Sequence, residues 1–461
     1  MKMKRLAAVM VSTALTMGLV TGCGSSGSQS GTAGSGSGAG SENAAGSSAG
    51  EPVVLQWWGT FQEQQGPDQV CEAFNKIDPN IQVQYTRYVN DDAGNTKLDV
   101  TLMADSSVDL FLTMNDVLMK KRIDSGFTLP LDDLLAANSM DMEMYYGEAA
   151  GQLVVDGHYH YMPAKRITST ILYNQSMFDE AGVPYPEPNW TYEEFIDAAE
   201  KLTKGEGQDK VYGYMFPGYD AGQPALRMLE AELGLNWMYT EDGQHANIDR
   251  PEVKDALEKY LDRVEKGIEP SYVDVTTQKM EPANMLLTEK AAMIFGDWCV
   301  RNVKDLETYP HDFKVGFATM PRLNPDQQEN YTTSLTDCMS ISAKSEHPEE
   351  AMKFMKWYIE EGMDYVAPFA RIPASSTYNE EENVALLFGD QMDLFDEESA
   401  KNVYLAGTDF SIRTNLTAAT EINTILTEEF SKVFAGVQSV DDTLKKAQER
   451  AEEKVAAALA Q

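Results

Sequence analysis

Residues 52–59 read Pro52-Val53-Val54-Leu55-Gln56-Trp57-Trp58-Gly59, and residues 81–85 read Ile81-Gln82-Val83-Gln84-Tyr85. Both runs consist largely of residues that favour strands, and the second alternates apolar and polar side chains. Residues 61–75 between them carry a helical pattern, which ends before a turn at Asp78-Pro79. A strand, a helix and a second strand in this order predict a βαβ unit, and therefore a parallel sheet covered by helices.

The rest of the chain continues this alternation of strands and helices. The Asp156-Gly157 pair lies between two apolar runs and predicts a tight hairpin. Because the 411 residues from Glu51 to Gln461 exceed what one core usually holds, two lobes are expected. Further strands are predicted at 108–113, 169–174, 211–216, 291–295 and 315–318, and closing helices at 415–436 and 439–460.

The first 50 residues differ in composition from everything that follows. Three basic residues precede an apolar run at 6–20, which predicts a signal peptide over 1–22. This run is shorter than the roughly 20 residues that a membrane-spanning helix needs. The residues before Cys23 resemble the processing site of bacterial lipoproteins, which implies that Cys23 carries lipid; an ordinary signal peptide followed by a cysteine is the alternative. Residues 23–51 then form a Ser/Gly-rich flexible tether.

The net charge of −36 restricts the partners of the protein. A surface this acidic repels nucleic acid and anionic lipid headgroups, so neither is expected to bind directly. The lipid on Cys23 would then be the membrane contact. Solubility alone is a sufficient explanation of the charge.

The other cysteines and the histidines predict no metal centre. Cys71, Cys299 and Cys338 lack motif spacing and are expected as buried thiols, with a Cys299–Cys338 disulfide as the alternative. His158 and His160 would share one face of a strand, but without nearby cysteines or a helical HExxH motif they do not define a zinc site. No cofactor is expected.

Several short strings follow one another in a characteristic order. They are Val155-Asp156-Gly157-His158-Tyr159-His160-Tyr161-Met162-Pro163, Ile171-Leu172-Tyr173-Asn174, Trp190-Thr191-Tyr192-Glu193-Glu194-Phe195, Lys290-Ala291-Ala292-Met293, Gly296-Asp297-Trp298 and His347-Pro348-Glu349-Glu350-Ala351-Met352-Lys353-Phe354-Met355. In this order and spacing they resemble the extracellular solute-binding proteins of carbohydrate ABC importers, the family that includes maltose-binding protein. The resemblance covers residues 52–461.

This resemblance implies a type II periplasmic-binding-protein-like α/β fold, in which two α/β lobes are joined by a three-segment hinge and hold the ligand in the cleft between them. The crossing segments match residues 166–168, 334–336 and 371–373. Closure of the lobes would be a hinge motion. The expected boundaries are 52–166 with 336–372 for lobe 1, and 167–335 with 373–461 for lobe 2.

Sugars bind to flat aromatic faces and to planar polar groups that pair with hydroxyls. The carboxyl ends of parallel strands are where such sheets bind ligands, and here they supply both kinds of group. Of the adjacent Trp57 and Trp58, only one can face the cleft, and Trp58 is nearer the strand end. The predicted ligand-binding residues are Trp58, Glu63, Asn115, Asp116, Arg166, Tyr219, Asp220, Trp237, Asp297, Trp298 and Arg371.

Several of these residues have structural alternatives. A strand-end tryptophan such as Trp58 or Trp298 packs in the core about as often as it contacts a ligand. Asp116 could cap the helix that begins at the next residue. Arg371 could hold a crossing segment in place by pairing with an acid.

The function that the resemblance implies is a lipid-anchored receptor on the extracellular face of the cell membrane, in a bacterium without an outer membrane. It would bind an oligosaccharide as a monomer and deliver it to the permease subunits of an ABC transporter. One alternative is a solute-binding protein for a polyamine, a peptide or a metal chelate.

A secreted glycosidase is the enzyme alternative. It would need two carboxylates roughly 5–10 Å apart, such as Glu63 and Asp297. Because the sequence has no catalytic string, no Gly-x-Ser-x-Gly elbow and no phosphate loop, no enzyme activity is expected.

Overall fold

The computed structural model describes residues 51–104, 107–218, 223–405 and 409–460. The predicted signal peptide, Cys23 and residues 23–50 of the tether lie outside these ranges. Within them, no helix combines the length and the apolar character needed to cross a bilayer.

The described strands form two sheets. They are β1 (Val53–Gly59), β2 (Ile81–Arg87), β3 (Leu110–Thr113), β4 (Met162–Thr168), β5 (Thr170–Asn174), β6 (Tyr212–Met215), β7 (Ala291–Phe295), β8 (Val315–Thr319), β9 (Tyr331–Ile341) and β10 (Asp409–Phe410). The first sheet has the order β10–β9–β3–β1–β2, with β4 paired to the other edge of β9, and the second has the order β6–β7–β5–β8. Strand β1 runs parallel to β2 and β3, as the predicted βαβ unit requires.

Helices cover both sheets. They are α1 (Pro67–Ile77), α2 (Asp92–Ala104), α3 (Asp116–Asp124), α4 (Asp132–Ala137), α5 (Met142–Tyr146), α6 (Gln175–Ala181), α7 (Tyr192–Leu202), α8 (Gln223–Leu233), α9 (Pro251–Glu265), α10 (Tyr272–Gln278), α11 (Pro282–Leu287), α12 (Val300–Val303), α13 (Pro348–Glu360), α14 (Glu380–Phe388), α15 (Glu397–Tyr404), α16 (Ala419–Phe434) and α17 (Val440–Leu459). Two sheets covered by helices confirm the predicted two-lobed α/β fold class.

The cores follow from which sheet faces the helices cover. Trp57 of β1 packs in the main core of the first lobe, with Phe354 and Tyr358 of α13. The opposite face of the same sheet buries a small cluster under α2. The second sheet is also covered on both faces. Sheets buried on both faces explain why the strand sequences read as nearly continuous apolar runs.

The three predicted crossing segments lie side by side. Strand β4 pairs antiparallel with the first part of β9, from Thr168 opposite Thr333 to Lys165 opposite Thr336. The third segment joins them because the Arg166 N–H donates to the Ile372 carbonyl. We call the paired strands β4 and β9, from residues 162–168 and 331–339, the crossing ribbon. The lobe boundaries themselves remain a prediction.

Local sequence signals explain several element boundaries. Helix α1 begins at Pro67 rather than near residue 61, because Gly66 takes a left-handed conformation and proline favours the first helical turn. The Thr191–Glu194 capping box opens α7 as its sequence suggests. The predicted hairpin at Asp156-Gly157 is reduced to one bridge between Val155 and His158, since a 3₁₀ helix occupies the segment before it.

Candidate functional site

The carboxyl ends of strands from both sheets meet beside the crossing ribbon. Residues 114–116 follow β3 in the first sheet, and residues 296–298 follow β7 in the second. The Thr336 hydroxyl donates to the Met114 carbonyl (2.7 Å), and the Lys165 ammonium lies 3.2 Å from the Asp297 carboxylate. Because both contacts start from the ribbon, the ribbon forms the floor between the two strand-end walls. We call this space the interlobe cleft.

The first-lobe wall carries three predicted site residues. Asn115 is the residue that caps α3, its side chain accepting the Leu118 N–H at 2.8 Å. Asp116 begins the helix, and its carboxylate accepts the N–H of Val117 (2.9 Å). The other carboxylate oxygen of Asp116 lies 3.0 Å from Nε of Arg413. Glu63 is exposed at the start of a short 3₁₀ turn after β1.

The second-lobe wall is shaped by Gly296. Its φ is 141°, and a Cβ there would lie 2.7 Å from the Trp298 ring, so glycine lets the indole fold back over the chain. Trp298 is half-buried and packs edge-on against Phe295, with ring centroids 5.7 Å apart. Asp297 is buried beside Lys165. Tyr219 and Asp220, which were predicted for this wall, lie outside the described residues.

Three predicted aromatic or basic residues are buried or turned away from the cleft. Trp58 is 9% exposed and packs with Phe111 under α2, with the Lys97 ammonium 5.4 Å from its ring centroid. Trp237 is 3% exposed in the core of the second lobe. Arg166 lies on the opposite face of the ribbon from Lys165, where it contacts Glu380 at 2.7 Å and the Tyr404 carbonyl at 3.1 Å.

Arg371 fixes two crossing segments to each other. Its guanidinium pairs with Asp337, a buried residue of β9 whose φ of 51° marks a kink in the strand. The same guanidinium lies 4.1 Å from the centroid of the Phe61 ring. This arrangement is the one expected if Arg371 holds a crossing segment in place by pairing with an acid. Contact of Arg371 with a ligand stays a prediction.

A cavity of about 800 Å³ opens on the other side of the ribbon. Strand residues alternate between faces, so Arg166 and Thr333 point into this cavity while Lys165 and Thr336 point to the cleft. Apart from Arg166, none of the predicted ligand-binding residues lines it. Its walls include Gln152, Pro373, Tyr404 and Phe410. We therefore place the candidate site in the interlobe cleft and not in this rear cavity.

Sequence reasoning missed Lys165 and Arg413. Lys165 could have been found, because it lies in phase with the cleft face of a predicted crossing. Arg413 had no such signal, since it follows the two-residue strand β10 in a stretch for which no element was predicted. Burial raises the pKa of the neighbouring Tyr239 to about 12, which keeps that phenol neutral as it donates to the Thr417 carbonyl.

The described residues include no group of three or more His, Cys, Asp or Glu side chains that could hold a metal ion. Cys71, Cys299 and Cys338 are free and buried, as the absence of motif spacing predicted.

Comparison with known proteins assigns the chain to a family. Residues 58–364 match the family described as bacterial extracellular solute-binding protein. A binding protein of Brucella abortus is 22% identical over 343 residues, which cover 74% of this chain and 79% of that protein.

Solved structures agree in fold. An ABC substrate-binding protein of Listeria monocytogenes, in complex with cycloalternan, has a TM-score of 0.71 at 20% identity, covering 87% of this chain and 98% of that one. A maltose/maltodextrin-binding domain of Bdellovibrio bacteriovorus, bound to maltotriose, has a TM-score of 0.65 at 19% identity, covering 87% and 100%. The chain belongs to the bacterial extracellular solute-binding protein family, and its fold is that of the ABC substrate-binding proteins.

Proposed function

We propose that this protein is a lipid-anchored extracellular receptor that binds an oligosaccharide in the interlobe cleft and delivers it to an ABC import permease. The observation that carries the proposal is the ion pair between Asp116 and Arg413, two planar polar groups that the fold brings together at the end of β3. Asp116 follows β3 of the first lobe, Arg413 directly precedes a segment that is bonded to Asn236 of the second lobe, and we assign the aromatic face to Trp298. Carboxylates and guanidinium groups pair well with sugar hydroxyls, and an aromatic face covers their C–H surfaces.

Two further observations support parts of this proposal. The Listeria and Bdellovibrio proteins were solved with cyclic and linear oligosaccharides, and they share this fold. The signal sequence, Cys23 and the Ser/Gly tether support anchoring at the outer face of the membrane. Membership of the solute-binding family supports delivery to a permease.

A thermal-shift experiment on the purified protein tests the proposal. The panel is maltotriose, cellotriose, xylotriose and β-1,4-mannobiose, with spermidine and a neutral tripeptide as controls. A sugar at 100 times its dissociation constant adds about 2.7 kcal/mol to the free energy of unfolding, so a clear upward shift in Tm is expected. A shift with spermidine or the peptide and none with any sugar contradicts the carbohydrate assignment.

The same samples test for catalysis. Glu63 is exposed on a turn and the Asp297 carboxylate pairs with Lys165, which argues against their acting as the acid and base of a glycosidase. We expect every sugar to be recovered intact by chromatography after prolonged incubation. Release of shorter products would make the protein an enzyme.

A further inference from the structure

Arg413 lies where the two lobes meet. The residue before it, Ile412, is buried in the core of the first lobe. The residues after it belong to the second lobe, where the side-chain oxygen of Asn236 accepts the backbone N–H groups of Thr414 and Asn415 at 3.0 Å. Across the interlobe cleft, Nε of Arg413 lies 3.0 Å from the Asp116 carboxylate. The guanidinium therefore reaches from one wall of the cleft to the other.

The guanidinium of Arg413 is poorly satisfied by the protein. Its side chain is 11% exposed, and its Nε and Nη1 are both buried without a hydrogen bond of good geometry among the described residues. A buried donor without an acceptor costs about 1–3 kcal/mol, which argues that another acceptor occupies this position when the protein functions.

Two other buried arginines show what a purely structural arginine looks like in this chain. Arg122 donates through all three nitrogens to Asp99, Thr113 and Asn95. Arg263 likewise uses its three nitrogens, which donate to Glu269, to the Tyr192 hydroxyl and to the Pro224 carbonyl. Among the described residues Arg413 has one ion pair, and both its Nε and its Nη1 lack a hydrogen bond, whereas Arg371 and Arg166 each lack one at Nε alone.

Asp116 is the complementary half of the pair. Its side chain is 32% exposed, so it is open enough to accept a hydrogen bond in addition to the one from Val117 and the ion pair with Arg413. A guanidinium donates and a carboxylate accepts, and both are planar. Two neighbouring hydroxyl groups of one sugar ring offer the matching acceptor and donor.

We infer that Arg413 is a specificity-determining residue of the cleft, which together with Asp116 binds two adjacent hydroxyl groups of a sugar ring and so joins the two lobes through the ligand. This inference rests on the proposed function. The Arg413–Asp116 pair would select against a ligand in which the contacted sugar ring has no two adjacent free hydroxyl groups.

Isothermal titration of wild-type protein, Arg413→Lys and Arg413→Gln with maltotriose, cellotriose, xylotriose and β-1,4-mannobiose tests the inference. Lysine keeps the charge and the attraction to Asp116 but lacks the planar fork of donors. We therefore expect both variants to bind the sugar at least about tenfold more weakly, with Arg413→Lys keeping the Tm of the wild type. Arg250→Lys is the matched control, because Arg250 also pairs with one acid, Glu252, but at the start of α9.

The outcomes separate the inference from the proposed function. If the wild type binds a sugar and Arg413→Lys binds it with the same affinity, the inference is overturned and the proposed function stands. A simple ion pair between the lobes would tolerate lysine in this way. A wild-type protein that binds none of the four sugars contradicts the proposed function and the inference with it. If Arg413→Gln fails to fold, Arg413→Lys still decides the question.

Discussion

The two faces of the crossing ribbon carry similar residues with different surroundings. On the cleft face, the ammonium of Lys165 is buried against Asp297. On the rear face, the adjacent Arg166 pairs with Glu380, whose side chain is 57% exposed beside an open cavity. Lys165 and Arg166 are neighbours in β4, but the Lys165–Asp297 pair is desolvated and the Arg166–Glu380 pair is partly solvated. The two pairs should therefore differ in their contribution to the free energy of unfolding and in their effect on ligand binding.

The largest effect is expected at the kink of the ribbon, in Arg371→Ala. The change leaves the Asp337 carboxylate buried without its cation and removes the contact with the Phe61 ring. Breaking a buried pair from one side costs about 3–5 kcal/mol. Urea unfolding followed by tryptophan fluorescence should show a fall of that size in the free energy of unfolding. A fall below about 1 kcal/mol would mean that Arg371 does not hold the crossings together.

A smaller but still large effect is expected on the cleft face, in Lys165→Met. Asp297 loses its ion-pair partner in a site that is 5% exposed, at a cost of about 3 kcal/mol. The double variant Lys165→Met, Asp297→Leu should regain much of this loss, because no unpaired charge remains. Sugar affinity should fall in both variants, measured by titration, since the floor of the cleft changes. A double variant no more stable than the single one would refute the ion-pair explanation.

The smallest effect is expected on the rear face, in Arg166→Met. The pair with Glu380 is partly solvated and contributes about 0.2–1 kcal/mol, so unfolding in urea should move little. Titration with the sugar that binds the wild type should give an unchanged dissociation constant, since Arg166 does not line the cleft. A loss of affinity as large as that of Lys165→Met would show that the two faces are not independent.

The comparison also shows how far the sequence could predict the site. The alternation of strand side chains between faces correctly separates Trp57 from Trp58. The sequence pattern could not show which face of the first sheet is covered by helices. Helices bury both faces, so both tryptophans are enclosed. Trp58 was chosen for its place near the strand end and Arg166 for its place at a crossing segment, and neither position carries information about the packing partners.

Other features were predictable because their signals are local. The first βαβ unit and the capping box of α7 follow from patterns within a few tens of residues. The partner of Arg371 was not predictable, because Asp337 is 34 residues away and takes an unusual left-handed conformation at the kink. Arg413 and Asp116 are separated by about two thirds of the chain, and only the folded structure brings them together.

The buried thiols have a practical consequence for measuring the motion of the lobes. Burial raises the pKa of Cys71 and Cys299 to about 12, and Cys338 is likewise buried, so all three should resist maleimide reagents at neutral pH. An introduced cysteine at Gln152, on the wall of the rear cavity, would then be the reactive thiol of the described chain. A fluorophore attached there would test the expected hinge closure through a change in its emission.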